Sequence, residues 1–210
     1  MYDEDIREEL FFFLEEEYGK SRIIEEKVIG KARADCVLIT ESAFIGVEIK
    51  SDHDSYQRLA AQVKNYNDFF DYNILVVGTK HALSAKDHVP PFWGIITVEE
   101  VEGRADFYFL RKAERNPHRD YAKKGSLLWK EELISLLRKY SFPLYKQKSK
   151  KFQFAYLRER IPEEVLNREM SEQLLEREYP EEEKVGKSKK RKRVRRKPNL
   201  LVSHVLRRKK

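Results

Sequence analysis

The chain has 210 residues, with 43 Lys and Arg against 36 Asp and Glu for a net charge of +7, and a single cysteine, Cys36. This length fits one domain with appendages, and one cysteine excludes a disulfide framework and a thiolate zinc site. No apolar run approaches the roughly 18 residues of a membrane span, and the acidic start MYDEDIREEL has the wrong sign for a signal peptide, so a soluble cytoplasmic protein without a membrane partner is expected.

Residues 3–18 carry Ile6, Leu10, Phe13 and Leu14 at helical spacing and stop at Gly19, which predicts one amphipathic helix. Three stretches rich in β-branched residues follow at 22–29, 34–40 and 43–50 and read as strands. Between 55 and 71, Tyr56, Leu59, Ala60, Val63 and Phe70 share one helical stripe, with Asp54 or Ser55 available as N-cap. The run NILVVGT at 73–79 is apolar almost throughout and is reached through a helix, which predicts a strand buried on both faces and parallel to a neighbour. Residues 93–98 and 107–110 supply two more strands. The order α-β-β-β-α-β-β-β describes an α/β domain over 1–112, a central mixed sheet flanked by helices.

Beyond Asn116, Pro117 and Gly125 the pattern is helical, giving a helical region over 126–179. Leu127, Leu128, Leu133, Leu136 and Leu137 mark one helix, Phe154, Leu157 and Ile161 a second, and Leu166, Met170 and Leu174 a third. A basic connector with Lys146, Lys148, Lys150 and Lys151 separates the first two. From Lys187 to Lys210 there are thirteen Lys or Arg and no acid; taking these from the net +7 leaves −6 over residues 1–186. The segment 184–210 is therefore expected to be an unfolded basic tail that attracts nucleic acid by charge.

The chemistry lies between Arg33 and Tyr66. If residues 40–43 close a hairpin, Thr40 faces Ala43 and Asp35 faces Glu48, and the two-residue period of a strand puts Lys50 on the same face as Glu48. Opposed β carbons sit roughly 4.5–5.5 Å apart, where like charges destabilise a sheet. A divalent cation would offset that repulsion, and hard carboxylate oxygens select Mg²⁺ or Mn²⁺ with positions left for water and a phosphate oxygen. Lys50 beside it would orient the attacking water and stabilise charge on the phosphate, an apparatus suited to phosphodiester hydrolysis. On the next helix Arg58, Gln62 and Tyr66 recur every fourth residue and line one edge, as contacts to phosphate, sugar or base require.

Asp35, Glu48-Ile49-Lys50 thirteen positions later, and Gln62-x-x-x-Tyr66 on the following helix resemble the PD-(D/E)XK nuclease superfamily, in the RecB-like branch that includes small bacterial and phage nucleases. The resemblance covers residues 1–112 and implies a restriction-endonuclease-like core. It implies a Mg²⁺- or Mn²⁺-dependent deoxyribonuclease with DNA as partner, acting in DNA repair, recombination or phage DNA metabolism in a bacterial or phage-infected cytoplasm. By that resemblance Asp35 and Glu48 bind metal, the Ile49 carbonyl is a further ligand, Lys50 is the catalytic lysine, and Arg33, Arg58, Gln62 and Tyr66 contact substrate. Ala34 stands where the proline that names the motif is found. Many relatives add an acid from the first helix; here Asp3 and Glu9 both flank its apolar face, and the ligand stays unassigned with Glu9 favoured.

Other readings stay open. An exposed strand edge with alternating charge would also produce Asp35 and Glu48, and the same fold could hold DNA without cutting it or act on RNA. Asp52-His53-Asp54 reads as a solvated loop with a helix cap rather than a metal cluster, and Cys36, alternating opposite Asp35, as a small hydrophobe under the sheet. The helix, connector and helix of 127–161 resemble a SAP-type module that holds DNA backbone; the alternative is an extension packed on the sheet that buries Leu133, Leu137 and Trp129.

Overall fold

Apolar residues at helical spacing build α1 (Asp3–Tyr18), and Gly19 ends it at φ 67°, the left-handed conformation that glycine adopts without steric cost. Then come β1 (Arg22–Ile29), β2 (Ala32–Ile39) and β3 (Phe44–Lys50). A single 3-10 turn, Tyr56–Arg58, leads into α2 (Leu59–Phe69) and β4 (Tyr72–Gly78). Two one-turn helices absent from the sequence expectation, α3 (Thr79–Ala82) and α4 (Ala85–His88), precede β5 (Gly94–Val101) and β6 (Arg104–Arg111). The helical part comprises α5 (Tyr121–Gly125), α6 (Lys130–Lys139), α7 (Lys150–Arg160) and α8 (Glu163–Leu175). The structure, a computed structural model, describes residues 3–179, and the basic tail expected over 184–210 lies outside the described residues.

The six strands form one mixed sheet in the order β1-β2-β3-β4-β5-β6. Its centre, β3, β4 and β5, is parallel, and the outer neighbours pair antiparallel. The parallel step from β3 to β4 needs a crossover, which α2 supplies. Ile74, Leu75, Val76 and Val77 are fully buried because both faces of the sheet are covered. On one face Ile6, Leu10 and Leu14 of α1 pack against Cys36, Leu38, Val47, Ile49 and Val76. On the other, Leu59, Tyr66 and Phe69 of α2 cover Val37, Phe44, Leu75 and Val77, and the same core continues into Leu133, Leu137, Phe154, Leu157 and Met170.

The helices after residue 112 thus share the core of the sheet, and residues 3–177 belong to one compact unit. A buried polar cluster secures the junction. Asp71, just ahead of β4, accepts from the Phe44 amide at 2.7 Å and pairs with Lys124 of α5 at 2.6 Å and with Arg119. Lys124, fully buried, also donates to Asn167 of α8 at 2.7 Å. Arg22 at the start of β1 donates to the carbonyls of Leu174 and Leu175 at 3.2 and 3.0 Å, at the C-terminal end of α8 where a cation is favoured.

The expected N-cap of the α2 segment needs correction. Ser55 makes no side-chain cap, and the Asp54 carboxylate folds back onto the amide and hydroxyl of Ser51 at 2.8 and 2.7 Å. A side chain committed to its own turn is lost to the helix, so the helix opens with a 3-10 turn.

Gly46 on β3 lies under α2, and a Cβ there would sit 2.6 Å from Cδ1 of Tyr66 and collide with the ring of Phe70. Gly46→Ala should therefore lower stability by about 1–3 kcal/mol, the usual range for overpacking, and urea unfolding should show the shift as a lower midpoint at unchanged slope.

Candidate active site

The β2–β3 ladder runs from Ile39 opposite Phe44 to Cys36 opposite Val47, and the turn closes with the Thr40 amide donating to the Ala43 carbonyl at 3.0 Å. One step further in this register sets Asp35 against Glu48. There the ladder stops: β2 continues beside β1 to Ala32, and β3 beside β4 to Lys50. At this fork Oδ2 of Asp35 accepts from the Ile49 amide at 2.8 Å, taking the place of a backbone acceptor. A strand residue sends its N–H and C=O to the same side, so the Ile49 carbonyl faces the fork too.

Glu48 is fully buried. Its Oε2 accepts from the Tyr66 hydroxyl at 2.7 Å, and its Oε1 from Gln62 Nε2 and Lys50 Nζ. The Tyr66 oxygen in turn accepts from the Asp35 amide at 3.2 Å, so one buried hydroxyl joins both sides of the fork. Burial, reinforced by Glu48, pushes the Tyr66 hydroxyl well above its ordinary range and keeps it a donor. Burial first, then repulsion from Glu48, raises the Asp35 carboxyl from 3.8 to about 7, against the opposing pull of the Ile49 amide, Arg7 and Lys50. Asp35 keeps 23% of its side chain exposed, so it is the solvent-facing member of the pair.

Along the α2 edge Arg58, in the 3-10 turn ahead of the helix, is exposed, Gln62 is half-buried, and Tyr66 is buried at the carboxylates. Oε1 of Gln62 is buried without a hydrogen-bond donor among the described residues. Arg33 is 66% exposed and bonds Oε2 of Glu26 at 2.6 Å. Glu9, the favoured acid of the first helix, is not brought here: its carboxylate accepts from the Ala105 amide on β6 at 3.3 Å. The α1 residue that reaches the fork is a cation. Arg7 lies 3.5 Å from Oδ1 of Asp35 and 3.0 Å from Oε1 of Glu26.

Glu26 escaped the sequence reading. The β1–β2 register, Glu25 opposite Cys36 and Lys27 opposite Ala34, places it across from Asp35, and it bends away at φ 54°. The two-residue turn Gly30-Lys31 between Ile29 and Ala32 was the available signal for that pairing. Asp52 accepts from the Lys80 amide at 3.0 Å at the start of α3, and Asp54 closes its own turn, so Asp52-His53-Asp54 is a loop fastening. Among the described residues no group of three or more His, Cys, Asp or Glu is assembled to hold a metal ion. Cys36 is buried in the α1-side core, as its alternation from Asp35 dictates.

The chain belongs to the bacteriophage P4 protein cII family, which it matches over residues 2–201. Among curated proteins there is no significant match. A solved structure with some likeness is SfsA of Pyrococcus furiosus in complex with Ca²⁺, at 15% identity and a TM-score of 0.29, over 52% of this chain and 59% of that one. The chain thus spans under two thirds of that protein, and a likeness so slight bears on neither fold nor activity. No helix among the described residues is long and apolar enough to cross a membrane.

The raised Asp35 carboxyl makes stability depend on pH. Between about 4 and about 7 the folded chain holds a proton at Asp35 that the unfolded chain has released, so stability falls as pH rises through that window. Asp35→Asn removes the effect. In metal-free buffer the variant should melt well above the wild type at pH 7.5, and the gap should close near pH 4, as followed by calorimetry across the range.

Proposed function

We propose that this protein is a metal-dependent nuclease that hydrolyses DNA phosphodiester bonds at the β2–β3 fork, on a core of the restriction-endonuclease kind. The observation that carries the reading is the fork itself: Asp35 and Glu48 are set against each other where the ladder ends, Glu48 is wholly buried, and Lys50 touches it. A charged strand edge would leave both carboxylates in water. Here one is desolvated and held by three donors, an outlay that a solvated edge does not need.

The donor set fits Mg²⁺ or Mn²⁺. Two carboxylates and the Ile49 carbonyl are hard oxygens, and so small a protein set leaves room for water and a phosphate oxygen, as Mg²⁺ sites commonly do. The Gln62 oxygen without a donor and the raised Asp35 carboxyl both favour added positive charge at the fork. When bound, the ion would neutralise the carboxylates, polarise the phosphoryl group and acidify water.

The chain's own residues divide the remaining work. Tyr66 and Gln62 hold Glu48 in place, and Tyr66 also fixes the Asp35 backbone. Lys50 orients the attacking water and offsets charge that builds on the phosphate. Arg58 and Arg33, exposed at the rim, meet the DNA backbone. The phage family supports a setting in the host cytoplasm, and the proposed cleavage would serve phage DNA metabolism, repair or recombination there.

The test is incubation of purified protein with linear, circular and single-stranded DNA in Mg²⁺, Mn²⁺ or EDTA. Cleavage is expected with either ion and none in EDTA. Glu48→Ala and Lys50→Ala should each reduce it at least ~100-fold, the lower bound for a positioned acid–base group. Lys50→Ala should keep the rise in melting temperature that Mg²⁺ or Mn²⁺ gives through binding the folded state, and Glu48→Ala should lose it. Wild-type cleavage by either variant rejects these roles, and DNA binding without cleavage by the wild type makes the protein an accessory binder.

A further inference from the structure

From Arg138 to Arg158 the chain carries seven Lys or Arg and six aromatic residues with no Asp or Glu, although residues 1–186 as a whole are net acidic. The segment spans the end of α6, the connecting loop and most of α7. Of its aromatic residues only Phe154 is fully committed to the core. The other five form an unbroken row of ring contacts: Tyr140 to Phe142 at 6.0 Å, Phe142 to Tyr156 at 5.6 Å, Tyr156 to Tyr145 at 4.9 Å and Tyr145 to Phe152 at 5.0 Å. Tyr140, Phe142 and Tyr156 rest against the core, whereas Phe152 at the far end is 40% exposed. Cations sit on the same rings, with Lys148 Nζ 5.5 Å from the centre of Phe152 and the Arg160 guanidinium 3.6 Å from that of Tyr156.

The exposed end of the row is built rigidly. Gln153, fully buried in α7, donates to the carbonyls of Leu144 and Tyr145 at 3.3 and 3.1 Å, and the Lys148 amide closes onto Tyr145 at 2.8 Å. The Ser149 hydroxyl caps α7 by accepting from the Phe152 amide at 3.2 Å. Tyr145 is thereby held at φ 45°, a conformation uncommon for a bulky side chain and one that persists only where its surroundings enforce it. A loop that only joined two helices would need neither the strained tyrosine nor the exposed phenylalanine.

We propose that the Tyr145–Phe152 end of this row binds an unpaired nucleic-acid strand. Bases stack on Phe152 and Tyr145, and Lys146, Lys148 and Lys151 meet the phosphates. Every base offers a π-face, so such a surface tolerates any sequence, while a duplex hides those faces inside its stack. Charge decides which end is used. At the other end Glu169 takes the Tyr140 hydroxyl at 2.9 Å and Lys139 at 2.7 Å, which discourages phosphate there. The inference does not depend on cleavage at the fork, because it concerns affinity alone.

The experiment is fluorescence anisotropy in EDTA with the full chain, a labelled thymidine twenty-mer and a labelled duplex of the same length. Phe152→Ala should weaken the single strand about tenfold, in line with the loss of one stacked base, and leave the duplex within about twofold. Phe152→Trp should bind like the wild type, and its emission should be quenched by the thymidine oligomer. A uridine oligomer in parallel shows whether the surface takes DNA, RNA or both. Because the binding is read in EDTA, where the proposed metal-dependent cleavage cannot run, its outcome is separate from that of the cleavage test. Equal losses for single strand and duplex, an unchanged single-strand affinity in Phe152→Ala, or an unquenched Phe152→Trp would overturn the proposal.

Discussion

A carboxylate removed from water at the end of a strand ladder must be given partners by its surroundings, and Glu48 imposes that requirement on most of the elements near it. The donors come from two sources. Lys50 lies two residues on, projecting from the same face of β3, and Gln62 and Tyr66 come from α2 one helical turn apart. For Tyr66 to reach Glu48, the helix must lie close on the strand, and that closeness is why no side chain fits at position 46. The crossover that makes β4 parallel to β3 is thus also the element that satisfies the buried acid, so sheet topology and site chemistry arise from the same helix.

Much of this was legible from residue order because the signals are local. Six strands stand out as β-branched or apolar runs and the longer helices by their 3.6-residue period, and the hairpin at 40–43 fixes the β2–β3 register once Thr40 faces Ala43. That register alone brings Asp35 to Glu48, and a four-residue helical spacing puts Gln62 and Tyr66 on one edge. The one-turn helices α3 and α4 are too short to show a period. Asp54 was a fair candidate cap by residue type, but its carboxylate finds the Ser51 amide and hydroxyl nearer to hand. The apolar stripes of α6 and α7 look alike whether they pack on each other or on a sheet, so the shared core could not be read from them.

The first helix shows where local reading ends. Glu9 and Arg7 flank the same apolar stripe, and which of them arrives at the fork depends on how Ile6, Leu10 and Leu14 seat α1 on the far face of the sheet. That seating carries Glu9 toward β6 and Arg7 to Asp35 and Glu26. Glu26 in turn depends on a second hairpin and on a backbone turned to φ 54° inside a strand. The hairpin has a local signal in its Gly30-Lys31 turn, but the turned backbone at Glu26 belongs to the tertiary arrangement, and no spacing in the chain announces it.

These additions change the charge balance of the site. Glu26, Asp35 and Glu48 contribute three acids, and Arg7, Arg33 and Lys50 three cations, so the fork can be formally neutral in the folded chain without any ion. The balance is uneven in space. Arg33 binds only Glu26 among these acids, and Arg7 is closer to Glu26 than to Asp35, while Lys50 serves the buried Glu48. Asp35 is left with the weakest compensation and a carboxyl raised to about 7. The fold can therefore form with the acids in place, yet it concentrates the unmet demand for positive charge on one partly exposed oxygen pair, beside the lysine that the proposed hydrolysis requires.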